Sequence, residues 1–172
     1  MESRAKALGH PIHQMLIVFP LGLLATAVAF DILGLITDRP GFAIAAAYTI
    51  AAGILGGLVA ALFGVIDWLA IPPGTRARRI GTLHGVGNVV VVLLFAGSWL
   101  IRADAGEWDP NVWALVLGFV GLAVAGVTGW LGGELVDRLG VGVTEGANLD
   151  APSSLSGRPA RSGPVSGTAT GT

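Results

Sequence analysis

The chain has no cysteine. That removes disulfides, thiolate metal ligands, iron–sulphur ligation and covalent c-type haem attachment from within it. Charge is scarce as well: 12% of residues are Asp, Glu, Lys or Arg, against about 25% in a typical soluble domain. Nine of the ten basic residues are Arg and the formal net charge is −1, so bulk charge argues against a nucleic-acid partner. Also missing are a P-loop, a G-x-S-x-G elbow, an H-E-x-x-H helix and a G-x-G-x-x-G turn after a strand. Without these motifs the chain reads as having no catalytic centre of its own.

What the chain has instead is apolar length. Hydrophobic residues make up 53% of it, with a mean hydropathy of +0.74. Four segments, at about residues 14–36, 42–70, 82–101 and 112–136, each reach the roughly 20 residues that cross a bilayer core. The expected fold is all-α: an integral membrane four-helix bundle over residues 1–143, with a Gly/Ser/Thr/Pro-rich, disordered tail over 144–172. The first apolar stretch is too long for a signal peptide and lacks an A-x-A site. Thr37 to Gly41, Pro72-Pro73-Gly74 and the polar run Asp104 to Asn111 punctuate the spans. Arg4, Lys6, Arg76, Arg78, Arg79 and Arg138 fall on one side, joined by Arg158 and Arg161 of the tail, and Arg39 and Arg102 on the other. The positive-inside rule then puts both termini and the 71–81 loop in the cytoplasm of a cell whose inner membrane holds the protein. Trp99, Trp108 and Trp113 mark the outer interface, Trp68 and Trp130 the inner one. The Ala, Gly and Val content suggests a GC-rich bacterial genome.

Small residues recur at helical spacing: Gly53 and Gly57, Ala60 and Gly64, and the row Gly121, Ala125, Gly129, Gly133. Such rows let helix backbones approach closely in lipid. Gly57 to Ala61 resembles Gly121 to Ala125, the first and third spans each begin near a His, and the second and fourth each end near a Trp and an acid. This reads as two repeated helix hairpins related by an axis along the membrane normal.

Ionisable groups inside a membrane are costly and mark candidate sites. The run His10-Pro11-Ile12-His13 opens the first span, and imidazoles at i and i+3 on a helix share one side. His13, Asp67, His84 and Glu134 should gather at one end of the bundle, with Asn88 one turn beyond His84. His13 and His84 could clamp a b-type haem as two axial ligands, with Asn88 and Asp67 in support. With Asp67 or Glu134 the same pair suits Zn or non-haem Fe. A proton relay, or plain hydrogen bonds between helices, are the other uses. Asp31 shares a face with His13 but lies about 27 Å along the axis; its candidate basic partners are Arg102 and Arg39. Pro20 should kink the first helix.

Taken together, His10 to His13 followed by Phe19-Pro20-Leu21-Gly22, Asp31, Gly64 to Trp68, His84 with Asn88, Gly132 to Val136 and Gly140 to Val143 resemble a bacterial family of small four-helix membrane proteins known as a domain of unknown function. The resemblance covers about residues 8–143. Relatives fused to Rieske-type iron–sulphur domains imply electron transfer, with His10, His13 and His84 as the residues carried over. This chain ends in a polar tail without cysteine, so an iron–sulphur partner would be a separate protein. The expected function is a haem-binding membrane redox module. The alternatives are a structural or assembly subunit, alone or as a homo-oligomer, and a divalent-metal or proton-handling site.

Overall fold

The computed structural model describes residues 1–160; the expectations for Arg161 and for the tail over 161–172 lie outside them. The chain enters through a short antiparallel pair, β1 (Lys6–Ala7) and β2 (His10–Pro11), with Lys6 opposite Pro11 and Ala7 opposite His10. Its two-residue turn holds Leu8 at φ 52° and Gly9 at φ 87°, the geometry that a tight hairpin requires. Then follow α1 (Ile12–Leu16), α2 (Val18–Thr37), α3 (Pro40–Ala70), α4 (Arg76–Ala103) and α5 (Val112–Gly133). A π-helical turn, Glu134–Arg138, extends α5. Four stretches are long and apolar enough to cross a membrane: Ile12–Thr37, Pro40–Ala70, Arg76–Ala103 and Val112–Arg138.

Local chemistry explains where these bounds depart from the apolar runs. α4 starts at Arg76 because the Thr75 side chain caps it, accepting from the Arg78 amide at 3.1 Å; polar first turns are invisible to a hydropathy reading. The break between α1 and α2 falls at Ile17, one turn before Pro20. Pro20 cannot donate to the carbonyl four residues back, and its ring crowds that carbonyl. His10 is not on a helix at all. Gly9 turns the chain and Pro11 is extended (ψ 121°), so His10 and His13 do not share a helix face.

α2 packs chiefly on α3 and α4 on α5, giving two hairpins that meet around Leu24, Ala27, Val28, Ala46, Ile50, Val91, Phe95 and Ala125. The contacts repeat between hairpins. An added Cβ on Gly53 would lie 2.7 Å from Leu24 Cδ2, and one on Gly121 2.8 Å from Phe95 Cε2. His13 bonds the Ala60 carbonyl and His84 the Thr128 carbonyl, each at 2.8 Å. Residues of α1–α2 therefore map onto α4 at a spacing of 71, and residues of α3 onto α5 at 68. Gly53, not Gly57, matches Gly121. A small-residue text repeats at every turn and leaves its register open by one turn; contact partners fix it. The row Gly121, Ala125, Gly129, Gly133 also splits. Gly121 and Ala125 face the core, but an added Cβ on Gly129 or Gly133 meets nothing within 4 Å. Each step of four residues turns about 40° around a helix, so the row leaves the buried face within three steps.

Gly53→Ala and Gly121→Ala should each cost about 1–3 kcal/mol through overpacking, while Gly129→Ala should change stability by less than about 0.5 kcal/mol. Unfolding in mixed detergent micelles reads all three, and equal effects at Gly129 and Gly53 would contradict the assigned faces.

Candidate functional site

His13 and His84 meet at one end of the bundle, where each ring reaches across its own hairpin. His13 is the second residue of α1, delivered by the β1–β2 turn with Pro11 preceding the helix. Its Nδ1 lies 2.8 Å from the Ala60 carbonyl. Gly64, one turn on, makes room: a Cβ there would sit 2.9 Å from His13 Cε1. His84 Nδ1 lies 2.8 Å from the Thr128 carbonyl, and a Cβ on Gly132 would sit 3.2 Å from His84 Cε1. A carbonyl accepts only, so both Nδ1 atoms carry the proton, and in the neutral rings both Nε2 atoms keep a lone pair. The two ring centroids are 6.4 Å apart with the planes at 89°.

Asn88 completes the second half of the site. Its Nδ2 donates to the His84 carbonyl at 2.9 Å and stands 3.2 Å from His84 Nε2; its Oδ1 accepts from Thr128 Oγ1 at 3.2 Å. The carbonyl fixes which end of the amide is nitrogen, so Asn88 donates to Nε2.

The carboxylates expected nearby have other partners. Asp67 accepts from Ser3 Oγ at 2.7 and 2.8 Å and from the Arg4 amide at 2.8 Å. It thereby ties the N-terminal segment to the end of α3. Glu134 pairs with Arg76 at 2.6 Å. Among the described residues no group of three or more His, Cys, Asp or Glu gathers as a metal cluster. His10 is exposed, with Nε2 3.4 Å from Ser154 Oγ. The Met1 amine donates to the Gly140 carbonyl at 2.7 Å, which adds the 140–145 segment to the same end. Exposed Glu2 pairs with Lys6, which holds its carboxyl below the ordinary range, and the Glu145 amide adds to this.

At the far end Asp31 finds Arg102, not Arg39. The guanidinium grips the carboxylate with two bonds, at 2.8 and 2.7 Å, with the side chains 0% and 2% exposed for Arg102 and Asp31. Ser98 Oγ accepts from Arg102 Nε at 3.3 Å and donates to the Ala114 carbonyl at 2.7 Å. Arg102 is thus an internal charge neutralised within the bundle, and it leaves the tally of loop charges that sets orientation. The remaining cluster includes Arg78, which stacks 3.5 Å over Trp68 and donates to the Trp68 and Ile71 carbonyls at the end of α3.

Sequence reasoning brought together His13, His84 and Asn88. It missed Thr128, Gly132 and the Ala60 carbonyl. Aligning the hairpins at spacings of 71 and 68 would have found them, because His13 with Gly64 and His84 with Gly132 then coincide. Gly64→Ala should push the His13 ring off the Ala60 carbonyl; loss of the hydrogen-bonded Nδ1–H signal of His13 in nitrogen NMR checks this, and an unchanged signal would contradict it.

Residues 9–145 match the family described as predicted membrane protein, DUF2231, and the chain belongs to that family. No curated protein and no solved structure matches the chain.

Proposed function

We propose that this member of the DUF2231 family is a membrane redox module in which His13 and His84 hold a b-type haem. The observation that carries the reading is the ring pair: centroids 6.4 Å apart, planes at 89°, one imidazole from each hairpin. One imidazole from each hairpin would hold the iron. The donor set fits as well. Each Nδ1–H is spent on a backbone carbonyl, the arrangement that fixes a metal-binding tautomer; His13 Nε2 is left open, and His84 Nε2 would give up its 3.2 Å hydrogen bond from Asn88 to bind. Asp67 and Glu134 are engaged elsewhere, which weakens the reading of a Zn or non-haem Fe site built with a carboxylate. A haem would ask the protein only for the two imidazoles of His13 and His84.

Bound there, the haem would supply one-electron transfer. The chain's own residues do the rest. His13 and His84 bind and orient, Gly64 and Gly132 admit the rings, Thr128 and Asn88 position His84, and the apolar spans keep water out. The site lies at the end that carries Arg4, Lys6, Arg76, Arg78, Arg79 and Arg138, so by charge it faces the cytoplasm of a bacterial inner membrane, with both termini on that side. The electron partner is a separate redox protein.

A second reading is an assembly subunit or homo-oligomer. The open face of Gly126, Gly129 and Gly133 on α5, where an added Cβ meets nothing, favours it. Proton handling by the histidines has no such support, since their protons already point at carbonyls.

The test is a reduced-minus-oxidised absorption spectrum of protein purified from native membrane. A Soret band with a sharp reduced α-band is the expected result. A featureless spectrum, with crosslinking that yields oligomers, would move the assignment to the second reading.

A further inference from the structure

The two hairpins repeat, but the two histidines are not chemically equal. His84 Nε2 accepts from Asn88, whose Oδ1 shares the Thr128 hydroxyl proton with the Ala125 carbonyl. At the matching places of the first hairpin stand Ile17 and Ala60, neither of which has a side-chain donor. Among the described residues His13 Nε2 has no hydrogen-bond partner, and the one hydrogen bond of the ring is at Nδ1. One imidazole therefore presents a bare lone pair, and the other a lone pair already covered by an amide.

From this asymmetry we infer that His84 is the exchangeable ligand of the pair and Asn88 the positioning residue that receives it when it lets go, so that the His84 side of the site takes a small neutral molecule of the carbon monoxide class while His13 stays bound. The inference rests on the haem reading. When His84 is a ligand, its Nε2 cannot accept from Asn88, and that hydrogen bond is given up. When His84 leaves, the bond returns and stabilises the released ring. His13 gains nothing comparable on release. Asn88 thereby lowers the cost of opening one side only. The released ring has no need to move far, because the Thr128 carbonyl still holds Nδ1, while the one Thr128 hydroxyl proton is shared between Asn88 Oδ1 at 3.2 Å and the Ala125 carbonyl at 3.0 Å.

The inference is tested on full-length protein in nanodiscs, with Asn88→Ala and Thr128→Val as variants. Thr128→Val keeps the carbonyl and the side-chain shape should Asn88→Ala fail to fold. In haem-free protein labelled with nitrogen-15 at histidine, both rings should show protonated Nδ1. Only His84 Nε2 should carry a hydrogen-bonded shift, and either variant should move that signal alone. In haem-loaded, reduced protein, carbon monoxide affinity should fall about fivefold in Asn88→Ala, as expected for losing one hydrogen bond to the released ring, and by less in Thr128→Val. His84→Ala should raise it well above wild type. Equal Nε2 shifts in the two rings, or a carbon monoxide affinity that neither variant moves, would overturn the inference and leave the redox reading in place. Absence of haem from wild-type protein would overturn both.

Discussion

Arg102→Met should destabilise the bundle by about 3–5 kcal/mol, the cost of leaving one member of a buried ion pair without the other. Asp31 is 2% exposed and both its oxygens accept from the guanidinium. No solvent replaces those bonds, and in lipid the alternative partners are few. Ser98 would also lose its donor from Arg102 Nε but keep the Ala114 carbonyl. The double variant Asp31→Leu/Arg102→Met should recover most of the loss, because the charge that needs compensation is then gone. Reversible unfolding in mixed micelles, run as a double-mutant cycle, measures both quantities. A double variant as unstable as the worse single one would mean that the pair contributes through shape and not through charge. Asp31 and Arg102 sit at matching positions of the two hairpins, so this bond ties the repeats at one end as the histidines meet at the other.

His13→Ala should abolish haem retention, whereas His84→Ala should keep part of the haem and turn its spectrum high-spin. The difference follows from the unequal surroundings of the two rings. His13 offers an uncovered Nε2, while that of His84 is shared with Asn88. Neither change removes a helix. His13→Ala deletes one bond from ring to carbonyl, and His84→Ala deletes one to the Thr128 carbonyl and one to Asn88, each worth roughly 1 kcal/mol, so circular dichroism should stay at the wild-type level. Pyridine haemochrome assay beside the absorption spectrum separates the outcomes. Full low-spin haem in His13→Ala would end the assignment of that residue.

Much of the architecture can be read directly from residue order, and the reasons are physical. Apolar runs of membrane length leave no other solution, so the four spans follow from composition, and their ends are misjudged only where a cap or a proline intervenes. Thr75 extends α4 by six residues over the expected start at 82, and Gly9 with Pro11 keeps His10 off the helix. The meeting of His13 and His84 is also legible, since two spans that begin at one membrane face bring their first turns together. The clamps that orient those rings are not. The groups that accept from Nδ1 are backbone carbonyls of Ala60 and Thr128, and a carbonyl leaves no mark on the side-chain sequence. What sequence does record is the glycine four residues later, Gly64 and Gly132, but each stands among other glycines with no visible reason to prefer it. The bond between Arg102 and Asp31 had two candidate cations, and only packing distinguishes a buried guanidinium from the loop residue Arg39. The expectation that Asp67 and Glu134 join the histidines rests on the shared end of the bundle and on helices that face inward. Height does not fix azimuth, and each carboxylate turns to a nearer donor, Ser3 and Arg76.

Two imidazoles set at right angles would hold one haem between the hairpins. The electron paramagnetic resonance spectrum of the oxidised, haem-loaded protein tests this arrangement most directly, because low-spin ferric haem reports the mutual angle of its axial ligand planes. The rings stand at 89°, so a strongly anisotropic low-spin signal, lost in both His13→Ala and His84→Ala, is the predicted result. A rhombic signal from parallel planes, a signal that survives both substitutions, or protein that binds no haem would contradict the account.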